Sequence, residues 1–201
     1  MVVLSDESVP NSGMFRNTLR SFDAEGELRF ETTLPVEFQI GLEVVVDPQS
    51  GDAIVSGGSG TGNSPKRAWV GRYDAEGNER WTREFDTDGA DFAHALTLDA
   101  AGNLYVAGDT SGAFPGHINS ESANRYDIFV LKLDADGELQ WSQQLVHPGD
   151  QKVRHLSVSE DGQQLIVVGT TGEPLFDDET PYRPNETRGF VMGVCAPDLP
   201  G

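Results

Sequence analysis

The sequence predicts an all-β chain, a β-propeller of four-stranded antiparallel blades in which about three blades are present, so that the propeller is partial or open. Three observations predict it. A nine-residue marker recurs three times, a second marker keeps step with the first, and no stretch combines 3.6-residue apolar periodicity with helix caps.

The first marker is Phe22-Asp23-Ala24-Glu25-Gly26-Glu27-Leu28-Arg29-Phe30. It returns as Tyr73-Asp74-Ala75-Glu76-Gly77-Asn78-Glu79-Arg80-Trp81 and as Leu133-Asp134-Ala135-Asp136-Gly137-Glu138-Leu139-Gln140-Trp141. The spacing is 51 residues from Asp23 to Asp74 and 60 from Asp74 to Asp134. Glycine supplies the positive φ of a short hairpin and the aspartate can bond the turn, so each marker reads as a β-turn. The aromatic residue closing each marker (Phe30, Trp81, Trp141) is expected to pack between neighbouring blades. The second marker is Val44-Val45-Val46-Asp47, then Leu96-Thr97-Leu98-Asp99, then Leu156-Ser157-Val158-Ser159. Each copy leads through a turn into a short apolar strand ending at Gly57, Gly108 or Gly169. Short strands at periods of this length indicate propeller blades, not helical arrays.

Taken in order, strand A is expected at about 41–47, 92–99 and 153–159, and strand B at about 52–58, 103–110 and 164–171. Strand C is expected at about 67–73, 126–133 and 188–195, and strand D at about 78–85 and 138–145, with a further C and D near 14–22 and 27–34. The organisation is an N-terminal extension at 1–13, propeller repeats at 14–195 and a tail at 196–201. Within the repeats lie a half blade at 14–34, blades at 41–85 and 92–145, and an incomplete blade at 153–195. A ring needs about four to eight blades, and seven blades of this size would need on the order of 385 residues. Closure therefore calls for self-association or for blades supplied elsewhere.

Composition narrows the function. At 201 residues and 37% hydrophobic, the chain can bury a core, and no apolar run approaches the roughly 18 residues of a membrane span. The first 13 residues include Asp6, Glu7 and Pro10 and show no secretory signal peptide. A net charge of −19 opposes nucleic acid and anionic lipid and leaves cationic partners open. Lys66, Lys132 and Lys152 are the only lysines, a pattern that suits a high-salt source and an acidic extracellular protein alike. Cys195 is the only cysteine, so neither an internal disulfide nor a cysteine-rich metal site can form.

Several stretches resemble a known family. Asp127-Ile128-Phe129-Val130-Leu131-Lys132-Leu133-Asp134, Gly137-Glu138-Leu139-Gln140-Trp141-Ser142, the run from Leu98 to Gly108, and Thr110-Ser111-Gly112-Ala113-Phe114-Pro115 look like the bacterial seven-bladed β-propeller repeat known as SBBP. The resemblance runs from about 14 to 195 and is strongest over 67–145. The first repeat lacks the Phe-Pro element, and the last has Ser159-Glu160-Asp161-Gly162 where the others begin with aspartate. The resemblance implies a propeller fold and an extracellular or cell-envelope setting. It implies no catalytic residues.

Candidate sites follow from loop length and residue type. The B–C loops, roughly 59–66, 111–125 and 172–187, are long and share one face of the propeller, where binding residues gather on rigid scaffolds. They offer His117, Asp177, Asp178, Glu179, Tyr182 and Arg183 for a ligand, against the alternative of a solvated loop. Asp86-Thr87-Asp88-Gly89-Ala90-Asp91 places Asp86, Asp88 and Asp91 around a glycine, which suits calcium and equally suits a turn held by aspartate side chains. No other cofactor is expected. His94, His117, His147 and His155 have no metal-ligand spacing, and no nucleophile elbow or phosphate loop is present. His94 and His155 fall on strand A near the axis. The reading is a non-catalytic propeller module for protein or glycan binding, or for scaffolding at the bacterial surface. The alternatives are a propeller enzyme, a glycan hydrolase or lyase, with its site at the channel mouth, and a purely structural segment of a larger surface protein.

Overall fold

The computed structural model describes residues 1–9, 14–35, 43–60, 66–118, 125–147, 149–173 and 187–195. Among them are fourteen strands and no helix, so none is long and apolar enough to cross a membrane. The strands form four antiparallel sheets, each a simple meander. Blade I holds β1 (Val2–Val9), β2 (Met14–Phe22) and β3 (Leu28–Thr33). Blade II holds β4 (Glu43–Val46), β5 (Ala53–Ser59), β6 (Arg67–Tyr73) and β7 (Glu79–Phe85). Blade III holds β8 (Asp91–Leu98), β9 (Leu104–Thr110), β10 (Asp127–Leu133) and β11 (Leu139–Leu145). Blade IV holds β12 (Gln151–Val158), β13 (Gln164–Thr171) and β14 (Arg188–Cys195). The described residues make an arc of two complete and two three-stranded blades, not a closed ring.

One element differs from expectation. The stretch 1–13 was expected only as an extension, yet Val2–Val9 pairs with β2 from Val2↔Ser21 to Val9↔Met14 and serves as strand B of blade I. The repeat markers do not reach this segment. Its own alternation does the work, with Val2 and Leu4 turned into the core against blade II.

The markers become hairpins for a specific reason. Asp74 Oδ1 accepts hydrogen bonds from the Glu76 and Asn78 N–H groups, while the Gly77 N–H donates to the Asp74 carbonyl. Asp23 and Asp134 repeat this pattern. Asp99 builds the A–B turn of blade III in the same way. In blade IV the serine that replaces aspartate still works: Ser159 Oγ accepts from the Gln164 N–H at 3.0 Å. One hydroxyl thus covers part of what a carboxylate covers elsewhere.

Blades stack through the aromatic that ends each marker. A Cβ at Gly77 of blade II would meet the Phe30 ring of blade I at 2.5 Å, and one at Gly137 of blade III would meet Trp81 of blade II at 2.8 Å. Trp81 Nε1 also donates to the Ala135 carbonyl at 3.0 Å. These glycines therefore supply both a positive φ and room for the neighbouring ring. Trp141 closes the blade III–IV core edge-on to Tyr105, at 6.1 Å between centroids.

Both faces of a middle blade are apolar. In blade II, Ala53, Val55, Trp69 and Tyr73 pack toward blade I, while Ile54, Ala68 and Val70 pack toward blade III. Strands β5 and β9 are consequently buried at every position, whereas β13 in terminal blade IV is not.

Trp141→Ala should cost about 3–5 kcal/mol, the usual cost of a large-to-small change in a packed core. Equilibrium urea unfolding measures it, and a loss under about 1 kcal/mol would show that the ring is not part of an inter-blade core.

Candidate functional site

The face that carries the B–C loops also gathers the polar side chains at the start of β8 and the end of β9. Gly108 ends the apolar part of β9, and the next residue, Asp109, is buried at the inter-blade seam. Its Oδ2 lies 2.9 Å from His94 Nε2, and its Oδ1 accepts from the Val153 N–H of blade IV at 2.8 Å. His94 remains partly open to solvent and stacks on Phe92 at 5.9 Å, with Tyr126 beyond. Burial, followed by the carboxylates of Asp109, Asp150 and Asp91, pushes the Tyr126 hydroxyl above its ordinary range. Glu43, on β4, accepts from the Leu96 N–H of blade III at 2.8 Å. Burial raises its pKa, while the Leu96 bond and the nearby His155 oppose the rise.

This arrangement fastens blades. Both oxygens of Asp109 are engaged, one by His94 and one by backbone across a blade boundary. His94 and His155, expected near the axis, lie on β8 and β12. The resulting Asp–His pair leaves the imidazole partly open to a polar ligand group.

The 86–91 turn is organised differently from a calcium loop. The Asp91 carboxylate accepts from the Thr87 N–H, the Thr87 hydroxyl and the Thr110 hydroxyl. Burial raises its pKa, the Thr110 and Thr87 bonds work against that rise, and Asp86 adds to it. Asp88 Oδ1 accepts from the Ala113 N–H at 3.4 Å, and Asp86 pairs with Arg67 at 3.2 Å. The three carboxylates thus serve three different partners. Among the described residues no group of three His, Cys, Asp or Glu side chains is placed to hold a metal ion.

Of the loop residues expected to meet a ligand, His117 is placed and Asp177, Asp178, Glu179, Tyr182 and Arg183 lie outside the described residues. The blade III loop is rooted in the core. Phe114 is buried against Phe129 at 4.9 Å, and its N–H donates to Gln144 Oε1, while Gln144 Nε2 donates back to the Gly112 carbonyl. From this base the loop presents His117, hydrogen-bonded to Ser142 Oγ at 3.1 Å, and Ile118, which is 76% exposed. Sequence reasoning passed over Ile118, Asp109 and Glu43. Comparing the repeats would have flagged Asp109, because the residue after the strand B glycine is Gly58 in blade II and Thr170 in blade IV.

At the opposite end of blade II, Arg72 is buried between Asp47 at 2.6 Å and Asp52 at 2.7 Å, and Arg80 adds a contact to Asp52 at 2.8 Å. Burial opposes ionisation of Asp47, but the Gln49 N–H, the Ser50 hydroxyl and Arg72 together outweigh it and hold its pKa below the ordinary value. The stability from this group is complete above about pH 4 and is lost as pH falls through the depressed folded value. Arg72→Met should cost about 3–5 kcal/mol at neutral pH, because buried Asp47 loses its ion-pair partner and buried Asp52 keeps only the more exposed Arg80. The gap from wild type should narrow below about pH 4, where protonation removes the unpaired charge. Urea titrations across that range measure it, and a pH-independent gap would mean that the ion pairs are not the source.

Three similarities to known proteins are found. A relative, Regulatory protein FlaEY of Caulobacter vibrioides, is 32% identical over 75 residues, which is 37% of this chain and 8% of that protein. A solved structure, a protein of unknown function from Bacteroides caccae, aligns with a TM-score of 0.44 and 15% identity, covering 94% of this chain and 58% of that one. This chain therefore spans under a tenth of the curated relative and less than two thirds of the solved structure. Residues 80–115, from β7 through Phe114-Pro115, match the family model of the beta-propeller repeat SBBP.

Proposed function

We propose that this chain is a non-catalytic binding or scaffolding module at the bacterial cell envelope, taking protein or glycan partners on the face that carries its B–C loops. The observation that carries the reading is the blade III loop: an anchored base of Phe114 and Gln144 holds His117 and an exposed Ile118 on a rigid scaffold. Exposed apolar side chains beside polar ones on a fixed loop favour recognition over chemistry. The net charge of −19 favours partners with basic surfaces. The relative named as a regulatory protein matches over a small part of its length, as a repeat module inside a larger protein would.

An enzyme on the same face, a glycan hydrolase or lyase, is the competing reading, and the His94–Asp109 pair is the observation that favours it. The two separate on one panel of envelope glycans and surface proteins, scored for capture and for cleavage. On the binding reading, Ile118→Asp and His117→Ala weaken capture about tenfold or more, consistent with loss of a central contact. Tyr182→Ala and Arg183→Ala on the neighbouring loop should weaken it too, and no glycan should be cut. Cleavage that disappears in a folded His94→Gln variant would replace the binding reading with the enzymatic one.

A further inference from the structure

Strand β8 carries a β-bulge. Ala93 pairs with Gly108 and Ala95 with Ala107, so His94 is an extra residue that the ladder leaves unpaired. The same irregularity recurs in β12 between Val153 and His155, where the extra residue is Arg154. In both blades the bulge turns one side chain out of the regular alternation. In blade III that side chain is an imidazole, and it lies beside two other rings. Phe92 and His94 stack with centroids 5.9 Å apart and planes 21° apart, and Tyr126 lies 6.2 Å from Phe92. All three residues are partly open to solvent.

Each ring is held in place by a neighbouring blade. Phe92 rests on blade II, where a Cβ at Gly58 would meet its ring at 2.7 Å. His94 is oriented by Asp109, whose other oxygen is fixed by the Val153 N–H of blade IV. The Tyr126 backbone is clamped at the entry to blade IV. Its N–H donates to Asp150 Oδ1 at 3.1 Å, and its carbonyl accepts from the Gln151 N–H at 2.9 Å. Rings fixed in this way need little ordering when a ligand arrives, which removes an entropic cost of binding.

The polar atoms left over have opposite roles. Asp109 can only accept, so the neutral imidazole carries its proton on Nε2 and keeps Nδ1 as a bare acceptor. The Tyr126 hydroxyl keeps a donor. Neither atom has a hydrogen-bond partner among the described residues. A pyranose offers the matching chemistry: an apolar C–H face for the rings, and adjacent hydroxyls that donate and accept. The charge of the sugar is constrained as well. The carboxylates of Asp109, Asp150 and Asp91 act together on the Tyr126 hydroxyl. Among the described residues the only ion pair any of them makes is that of Asp109 with His94. A carboxylated or sulfated sugar would therefore meet repulsion.

We propose that Phe92, His94 and Tyr126 form a subsite for one uncharged sugar residue of a glycan. The rings stack on its C–H face, His94 Nδ1 accepts from one hydroxyl and the Tyr126 hydroxyl donates to another. Asp109 is the positioning residue that keeps Nδ1 free of its proton. The inference rests on the binding reading and deepens it, choosing a neutral glycan over a protein. It puts the contact at the root of the blade III B–C loop, which leaves β9 at Thr110 and returns at Tyr126.

Saturation-transfer NMR on the 201-residue chain tests it, with glucose, galactose, mannose and N-acetylglucosamine at millimolar concentration and glucuronate as the charged control. At least one neutral sugar should bind, and glucuronate should bind several-fold more weakly. Tyr126→Phe removes only the hydroxyl, and Phe92→Leu keeps an apolar side chain without a flat face. Each should lower the affinity about tenfold, as loss of a contact to a fixed partner does. Asp109→Asn keeps an oxygen for the Val153 N–H and turns its amide toward Nε2, which moves the proton to Nδ1. The imidazole nitrogen shifts of His94 should report that exchange, and sugar binding should fall with it while the melt stays cooperative. If Asp109→Asn does not fold, Tyr126→Phe, whose hydroxyl holds no internal bond, still decides the matter. Absence of binding by every neutral sugar, equal binding of glucuronate, or binding unmoved by Tyr126→Phe overturns the proposal. Partner capture that depends on Ile118 without any sugar binding would keep the binding reading and overturn this one, whereas sugar binding without such capture would do the reverse.

Discussion

Everything in this molecule depends on the need of a β-sheet to bury both of its faces. A four-stranded meander with apolar residues at alternate and intervening positions has no water-facing side, so it is stable only between two others like it. Blade III meets that need through two separate clusters, Ala93, Leu96, Val106 and Phe129 toward blade II and Ala95, Tyr105, Val130 and Trp141 toward blade IV. The aromatic stacking, the small residues at the seams and the inter-blade hydrogen bonds all serve that sandwiching. On blade IV the positions equivalent to buried Tyr105 and Val130 are Ile166 and Val191, which are exposed among the described residues.

Charge serves the same end. The chain is strongly acidic, yet many carboxylates are occupied by backbone. Asp23, Asp74, Asp99 and Asp134 cap turns, Asp91 holds Thr87 and Thr110, and Glu43 and Asp109 accept N–H groups from the next blade. A carboxylate accepting backbone donors forms charge-assisted bonds that are stronger than neutral ones. The acidity is thus partly structural, and the rest sets up a negative surface field.

The hairpins were legible in the sequence because their physics is local. An aspartate three residues before a glycine states the turn within a few residues, and the aromatic that follows states the seam. Strand β1 was not legible, since its partner β2 identifies it and no repeat marker lies within it. The Asp109–His94 pair was hidden for a related reason: one residue closes β9, the other opens β8, and the third partner, the Val153 N–H, belongs to another blade. The aspartates at 86–91 were visible as a cluster, but their division among Arg67, Ala113, Thr87 and Thr110 is a tertiary outcome. His117 was visible by loop position, whereas the importance of Ile118 emerges only once Phe114 is seen rooted beneath it.

The contact between each closing aromatic and the glycine hairpin of the following blade has a consequence for descent. Phe30 is complementary to Gly77 and Trp81 to Gly137, so half of each of these two seams is encoded one repeat away from the other half. The unit that can be duplicated without breaking such a contact is therefore not the blade. It begins with the outer strand of one blade and runs on to the C–D hairpin of the next, as from Trp81 to Gly137. Gene segments joined at blade borders or inside the B–C loops would separate ring from glycine, whereas joints within the C–D hairpin, between Gly77 and Trp81, would carry each pair along intact. Inheritance and packing are thus offset in phase along this chain, and recombination among such repeats should be tolerated mainly at the C–D hairpins.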